Sequence, residues 1–199
     1  MRLLLLSNST NFGGTFLGHA GDWLREHLTG ARTVAFIPFA AVRFSYDEFV
    51  RKVAERFTPL GCDVQGVHAA QDPVAAVRNA GAIAVGGGNT FQLLARMYEL
   101  KLLDAIRERG EARRLHHRHF TDAVIPNHGG ETRSERLLEF LELNPGMPVL
   151  GMREGTAVRV DGQAATLLGD QPARAFLKGR EPWDVAPGPL IDFPPRDLR

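Results

Sequence analysis

The feature that most constrains this chain is a strand that runs straight into a glycine cluster and then a helix. Residues 82–85 (Ala-Ile-Ala-Val) are apolar throughout. Gly86-Gly87-Gly88-Asn89-Thr90 follows at once, and a helical pattern extends from about Asn89 to about Gly110. A short strand with no alternation suits burial on both faces, as in a parallel sheet covered by helices. The rest of the first half repeats the rhythm. Residues 2–7 and 33–40 read as buried strands, and 62–69 as a third. Between them lie helical segments. One places Phe16, Leu17, Ala20, Trp23, Leu24 and Leu28 on one face and stops at Gly30. The next opens on the capping-box signature Ser45-Tyr46-Asp47-Glu48 and runs to Leu60-Gly61. Asp72-Pro73 starts a short one, with proline at its first turn. The pattern predicts an α/β fold with a doubly wound, mostly parallel sheet.

After Pro145 the texture changes. Residues 149–152, 156–160, 164–168 and 173–177 are short strand-like pieces, separated by turn signals such as Asp161-Gly162 and Gly169-Asp170. They predict hairpins at the edge of the sheet. The tail from Pro182 is rich in proline and reads as loop. With 199 residues, the chain is expected to form a single domain, 1–199.

Composition narrows the partners. A net charge of +1 gives no global bias toward nucleic acid or anionic membrane. No apolar run reaches spanning length. The single cysteine, Cys62, permits no internal disulfide, and a cytoplasmic location is expected. One stretch breaks the rhythm. Residues 107–119 hold five arginines and three histidines where another buried strand is due. No aromatics interleave with them, so a solvated basic face is favoured over nucleic-acid binding.

Three groups of residues could carry chemistry. The Gly86-Gly87-Gly88 turn lets backbone approach a ligand, and the following helix start offers free N–H groups to negative charge. It lacks the third glycine of a dinucleotide fingerprint and the lysine of a P-loop, which leaves an oxyanion or carboxylate site or a plain tight turn capped by Asn89 or Thr90. His119 could act as a general base or be a surface histidine. Arg133 could clamp a carboxylate or pair with Glu131 or Glu135. His116, His117, His119 and His128 form a poor zinc set, since the adjacent pair diverges, and no metal or cofactor is expected. The four serines, Ser7, Ser9, Ser45 and Ser134, include none on a sharp strand-to-helix turn. Cys62 reads as a small core residue.

Six stretches together resemble the peptidase E (α-aspartyl dipeptidase) family of serine peptidases. They are Arg2-Leu-Leu-Leu-Leu-Ser-Asn-Ser-Thr10, Phe36-Ile-Pro-Phe-Ala40, Asp72-Pro73, Gly86-Gly-Gly-Asn-Thr-Phe-Gln-Leu-Leu94, His119-Phe-Thr, and His128-Gly-Gly-Glu-Thr-Arg133. The resemblance runs from Met1 to about Leu103 and resumes from His119 to about Lys178. It implies a fold like that of class I glutamine amidotransferases. It also implies metal-free hydrolysis of dipeptides that begin with aspartate, by Ser, His and Asp. By position, His119 matches the catalytic histidine. Gly87 and Gly88, with Asn89 beside them, match the loop next to the oxyanion site. Arg133 matches the arginine that holds the substrate's aspartyl side chain.

The family also has a buried strand ending in a Gly-Trp-Ser-Ala-Gly elbow, then an Asn-Asp-Met-Pro motif with the catalytic acid. Here residues 111–118 stand in their place. One core strand, the nucleophile and the acid are therefore missing, and no residue inherits either role. Three readings follow: a serine-type dipeptidase by family, a non-catalytic binder of acidic dipeptides or other carboxylates, and a truncated product without function. The missing strand also predicts marginal stability or self-association.

Overall fold

A computed structural model describes residues 2–109, 117–119 and 133–191. In chain order the elements are β1 (Arg2–Leu6), α1 (Gly21–His27), β2 (Thr33–Ile37), α2 (Tyr46–Phe57), β3 (Asp63–Gly66), α3 (Pro73–Asn79), β4 (Ala82–Val85), α4 (Thr90–Glu99), α5 (Leu102–Arg109), β5 (His117–His119), α6 (Arg133–Leu143), β6 (Val149–Met152), β7 (Ala157–Asp161), β8 (Ala164–Leu168), β9 (Ala173–Leu177), β10 (Arg180–Val185) and β11 (Gly188–Pro189). They fall into two compact units. One is built from residues 20–109, the other from 2–19 and the described residues from 117 onward.

The first unit is a three-stranded parallel sheet in the order β3-β2-β4. Its central strand, β2, is buried along Val34, Ala35, Phe36 and Ile37, as an all-apolar strand between two layers of helix requires. Ala35 and Ile37 face one layer, packing in a core with Val67, Val77, Met97, Leu102 and Ala105. Phe36 faces the other and meets Phe49 of α2 edge-on, ring centroids 4.9 Å apart. Phe49, Val53 and Phe57 recur four residues apart and are all buried, so α2 turns one apolar stripe inward. Helices thus cover both faces, which is the doubly wound arrangement.

The helix starts are set by short-range chemistry. Ser45 and Glu48 form the capping box: the serine hydroxyl accepts from the Glu48 amide, and the Glu48 carboxylate accepts from the Ser45 amide. Asp72 caps α3 by accepting from the Ala75 amide at 2.9 Å, with Pro73 in the first turn.

Several boundaries differ from the sequence reading. The helix expected from Asn89 to Gly110 breaks at Leu100-Lys101, where Lys101 takes a φ of 53°. Met97 and Leu102 would lie roughly 140° apart around an unbroken helix. The break turns both into the same core. The strand expected over 62–69 pairs with β2 only over Asp63–Gly66 and then becomes a 3-10 turn, Val67–Ala69. The first helix is shorter than its apolar pattern. It begins as a 3-10 turn at Gly18 and continues as α1, and Gly30 in the left-handed region lies beyond its end.

In the second unit the strands form two four-stranded sheets, β1-β7-β8-β11 and β10-β9-β6-β5. Their facing sides share a core that includes Leu150, Met152, Val158, Val160, Leu167 and Ala175. A smaller cluster seats α6 through Leu137 and Leu141 against Val149 and Phe176. The turn expected at Asp161-Gly162 closes the β7–β8 hairpin, whereas Gly169-Asp170 joins strands of different sheets, and β9 forms a hairpin with β10 instead. Gly162 and Gly179 take positive φ in the tight turns of β7–β8 and β9–β10, where a side chain would be strained.

Two corrections belong to this unit. β1, read as a member of the parallel sheet, pairs antiparallel with β7, in register from Arg2↔Asp161 to Leu6↔Ala157. An apolar run announces a strand but not its partner, which lies more than 150 positions away. The tail from Pro182 is not loop throughout. β10 spans Pro182 with a register shift between Arg180 and Trp183, and it is an outermost strand, where a residue without an N–H is tolerated. Residues 192–199 of that tail lie outside the described residues. The parallel pair β5–β6 shows that the basic stretch does contribute a strand at its end, placed at the sheet margin. Residues 110–116 lie outside the described residues.

Candidate active site

The glycine turn leaves the C-terminal end of β4, and residues 38–44 leave the C-terminal end of its neighbour β2. Open α/β sheets gather ligands at such ends. The two segments are fastened together. The Gly86 amide donates to the Ile37 carbonyl at 3.0 Å and the Asn89 amide to the Ala40 carbonyl at 2.9 Å. Asn89 caps α4 by accepting from the Gln92 amide at 2.9 Å.

The three glycines are not equivalent. A Cβ on Gly86 would sit 2.5 Å from the Phe49 ring. Gly88 has a φ of +142°, and a Cβ there would meet the Ala40 carbonyl oxygen at 2.4 Å. Packing therefore explains these two. A Cβ on Gly87 would meet nothing within 4 Å, so no protein contact requires glycine there. Gly87, Gly88 and Asn89 line a cavity of about 320 Å³ together with residues 40–44. Among the described residues its one charged lining side chain is Arg43, which nothing local in the sequence marks. Only the pairing of β2 with β4 brings it beside the glycine turn. A second cavity of about 290 Å³, at Asn144–Pro148, has no charged lining residue among the described residues.

The other predicted site residues belong to the second unit. His119 is the last residue of β5, in register with Met152 of β6, and so also stands at the C-terminal end of a parallel strand. Arg133 is the first residue of α6. His116, His128 and Glu131 lie outside the described residues.

The possible nucleophiles are accounted for by structure. Ser7 is buried, and its hydroxyl lies 3.1 Å from Asn8 Oδ1 and accepts from the Thr156 amide. This ties the turn after β1 to the turn before β7. Asn8 Oδ1 also accepts from the Gly155 amide. Ser45 is the cap of α2. Ser134 is the second residue of α6. Ser9 is exposed in the turn after β1. Cys62 is buried with its sulfur 3.3 Å from the Ala31 carbonyl, and burial pushes its thiol pKa up, away from the reactive thiolate. A His–Asp pair exists at His68 and Asp47, 2.9 Å apart, and His68 stacks edge-on against Tyr46. Among the described residues no hydroxyl or thiol is bonded to that histidine.

The model of peptidase family S51 matches residues 3–117 and 113–168. Peptidase E of Nostoc sp. is 34% identical over 231 residues, covering 96% of each chain. The chain belongs to peptidase family S51. Peptidase E of Salmonella paratyphi A is 36% identical, covering 91% of this chain and 96% of the relative. A crystal structure of a peptidase from an acI-B1 Actinobacterium superposes with a TM-score of 0.67 over 94% of both chains, at 17% identity, and so shares the fold. This chain is shorter than the alignment it makes with the Nostoc relative. The aligned stretch, 231 residues, is longer than the entire 199-residue chain, so the relative carries residues with no counterpart here. The two matched pieces of the S51 model meet at 113–117, within the basic stretch.

Proposed function

We propose that this S51 member binds dipeptides beginning with aspartate and does not turn them over. The observation that carries the reading is the placement of its serines and cysteine. Ser7 and Ser45 are engaged in holding turns and helix ends, Ser134 lies within α6, Cys62 is a buried thiol with a raised pKa, and among the described residues exposed Ser9 makes no side-chain hydrogen bond to a histidine. A histidine base without a nucleophile has nothing to activate. The excess aligned length of the relatives, and the break of the family match at 113–117, support the loss of the elbow and the acid from that point of the chain. In this reading Arg133 is the residue that pairs with the ligand's aspartyl carboxylate. His119 keeps the position of the lost triad's base.

Titration calorimetry with Asp-Leu tests this. The expected trace is a saturable binding curve, with no free aspartate in the cell afterwards. Arg133→Ala is expected to weaken binding by about tenfold or more, as loss of a bidentate charge pair does. Retained affinity in that variant would remove the clamp. Sustained heat with release of aspartate would instead establish a working dipeptidase, the reading that family membership itself favours. The nucleophile would then have to be sought outside the residues considered above. A graft offers the complementary test. Inserting the relative's extra residues between Arg109 and His117 is expected to create Asp-Leu hydrolysis in a chain that lacks it.

A further inference from the structure

We propose that Arg43 and the Gly87-Gly88 backbone form a seat for the C-terminal carboxylate of a peptide whose last side chain is apolar. The proposal rests on the reading of the chain as a binder of aspartyl dipeptides, and it concerns the C-terminal residue of such a peptide.

Three observations within one unit converge. Arg43 is exposed and lines the cavity beside the glycine turn, and among the described residues it has no hydrogen-bonded or acidic partner. The nearest acids in the chain are committed elsewhere, Asp47 to His68 and Glu48 to Ser45. The amides of Gly87 and Gly88 make no hydrogen bond among the described residues, whereas those of Gly86 and Asn89 do. The cavity therefore joins a guanidinium and backbone donors that are unpaired among the described residues, with no acidic side chain among the described residues of its walls. That combination favours an anion. Apart from Asn89, whose side chain caps α4, the remaining described lining side chains are apolar. Val42 is 67% and Phe44 45% exposed on either side of Arg43. Exposed valine and phenylalanine flanking a lone cation suit a residue that presents a carboxylate and a hydrocarbon side chain together. They do not suit phosphate or a second aspartyl group. An aspartyl dipeptide with an apolar second residue offers such a C-terminus.

The probe that isolates the seat is N-acetyl-leucine, which has the C-terminal carboxylate and apolar side chain but no aspartyl end. N-acetyl-leucinamide is the uncharged control. Ligand-observed NMR on the full chain is expected to show saturable binding of the acid. The amide should bind about tenfold or more weaker, the worth of a charge-assisted hydrogen bond. Arg43→Ala should lower affinity for the acid by a similar factor and leave the amide unchanged, with unaltered thermal melting because the side chain is exposed. Equal binding of acid and amide, or no saturable binding of the acid, overturns the seat. Asp-Leu separates this proposal from its parent. If Asp-Leu binds wild type and Arg43→Ala alike, the dipeptide reading stands and the seat falls. If the acid binds through Arg43 while Asp-Leu does not bind, the seat stands and the dipeptide reading falls.

Discussion

At the scale of single residues, the glycine turn shows how one motif divides between support and function. Gly88 is held at φ +142° with its α-carbon against the Ala40 carbonyl, so Gly88→Ala is expected to cost about 1–3 kcal/mol in urea denaturation. Gly87→Ala meets open space and should change stability by less than about 0.5 kcal/mol, while impairing peptide binding if backbone approach matters there. Equal destabilisation by both would mean the turn is only a turn. Cys62 gives a second test. Its buried thiol, with pKa raised by burial, should react with a thiol reagent only as fast as the protein opens. Fast labelling of the native protein would contradict its placement in the core. These distinctions were not legible in the sequence. Gly-Gly-Gly reads the same at all three positions, and only the neighbouring strands and rings differ.

At the scale of elements, helix starts were legible because their chemistry is local. Ser45, Asp72 and Asn89 cap the helices that follow them, each accepting from an amide three residues on, and Glu48 in the first turn of α2 accepts from the amide three residues back. Ser45→Ala is expected to destabilise the protein by about 1 kcal/mol, read from chemical denaturation. Hydrogen bonds from the Ser45 amide and hydroxyl hold the Glu48 carboxyl below its ordinary pKa. Because the folded value is the lower one, this contribution is complete above the unfolded carboxylate pKa and is lost as pH falls through the folded value. The stability gap between wild type and Glu48→Gln should therefore close in acid, and a gap independent of pH would contradict the capping box. Glu108 behaves alike. A two-pronged hydrogen bond from Arg78, at 2.7 and 2.9 Å, lowers its pKa and straps α5 to α3. Helix ends were less legible. The break at Lys101 follows from where Met97 and Leu102 must both pack, which no local signal encodes.

At the scale of the whole molecule, the exposed apolar residues are the feature to explain. Phe91 is 89%, Leu94 43% and Tyr98 64% exposed, three and seven residues apart on one side of α4, and Val85 is half-exposed at the end of β4. Such a stripe invites a second copy of the chain. Sedimentation is expected to show concentration-dependent self-association that Phe91→Lys reduces, and a sharply melting monomer at high concentration would refute it. No helix among the described residues is long and apolar enough to cross a membrane. The sequence by itself determined the strand-helix rhythm, the caps, the β7–β8 turn and the family, because each is written in residues close together or in motifs kept in order along the chain. Only the tertiary structure decided that β1 pairs with β7, that Pro182 lies within an outermost strand, and that Arg43 faces the glycine turn. Those are matters of which distant backbones share a ladder. The energy of that choice comes from burial summed over whole sheets, and no single residue carries it.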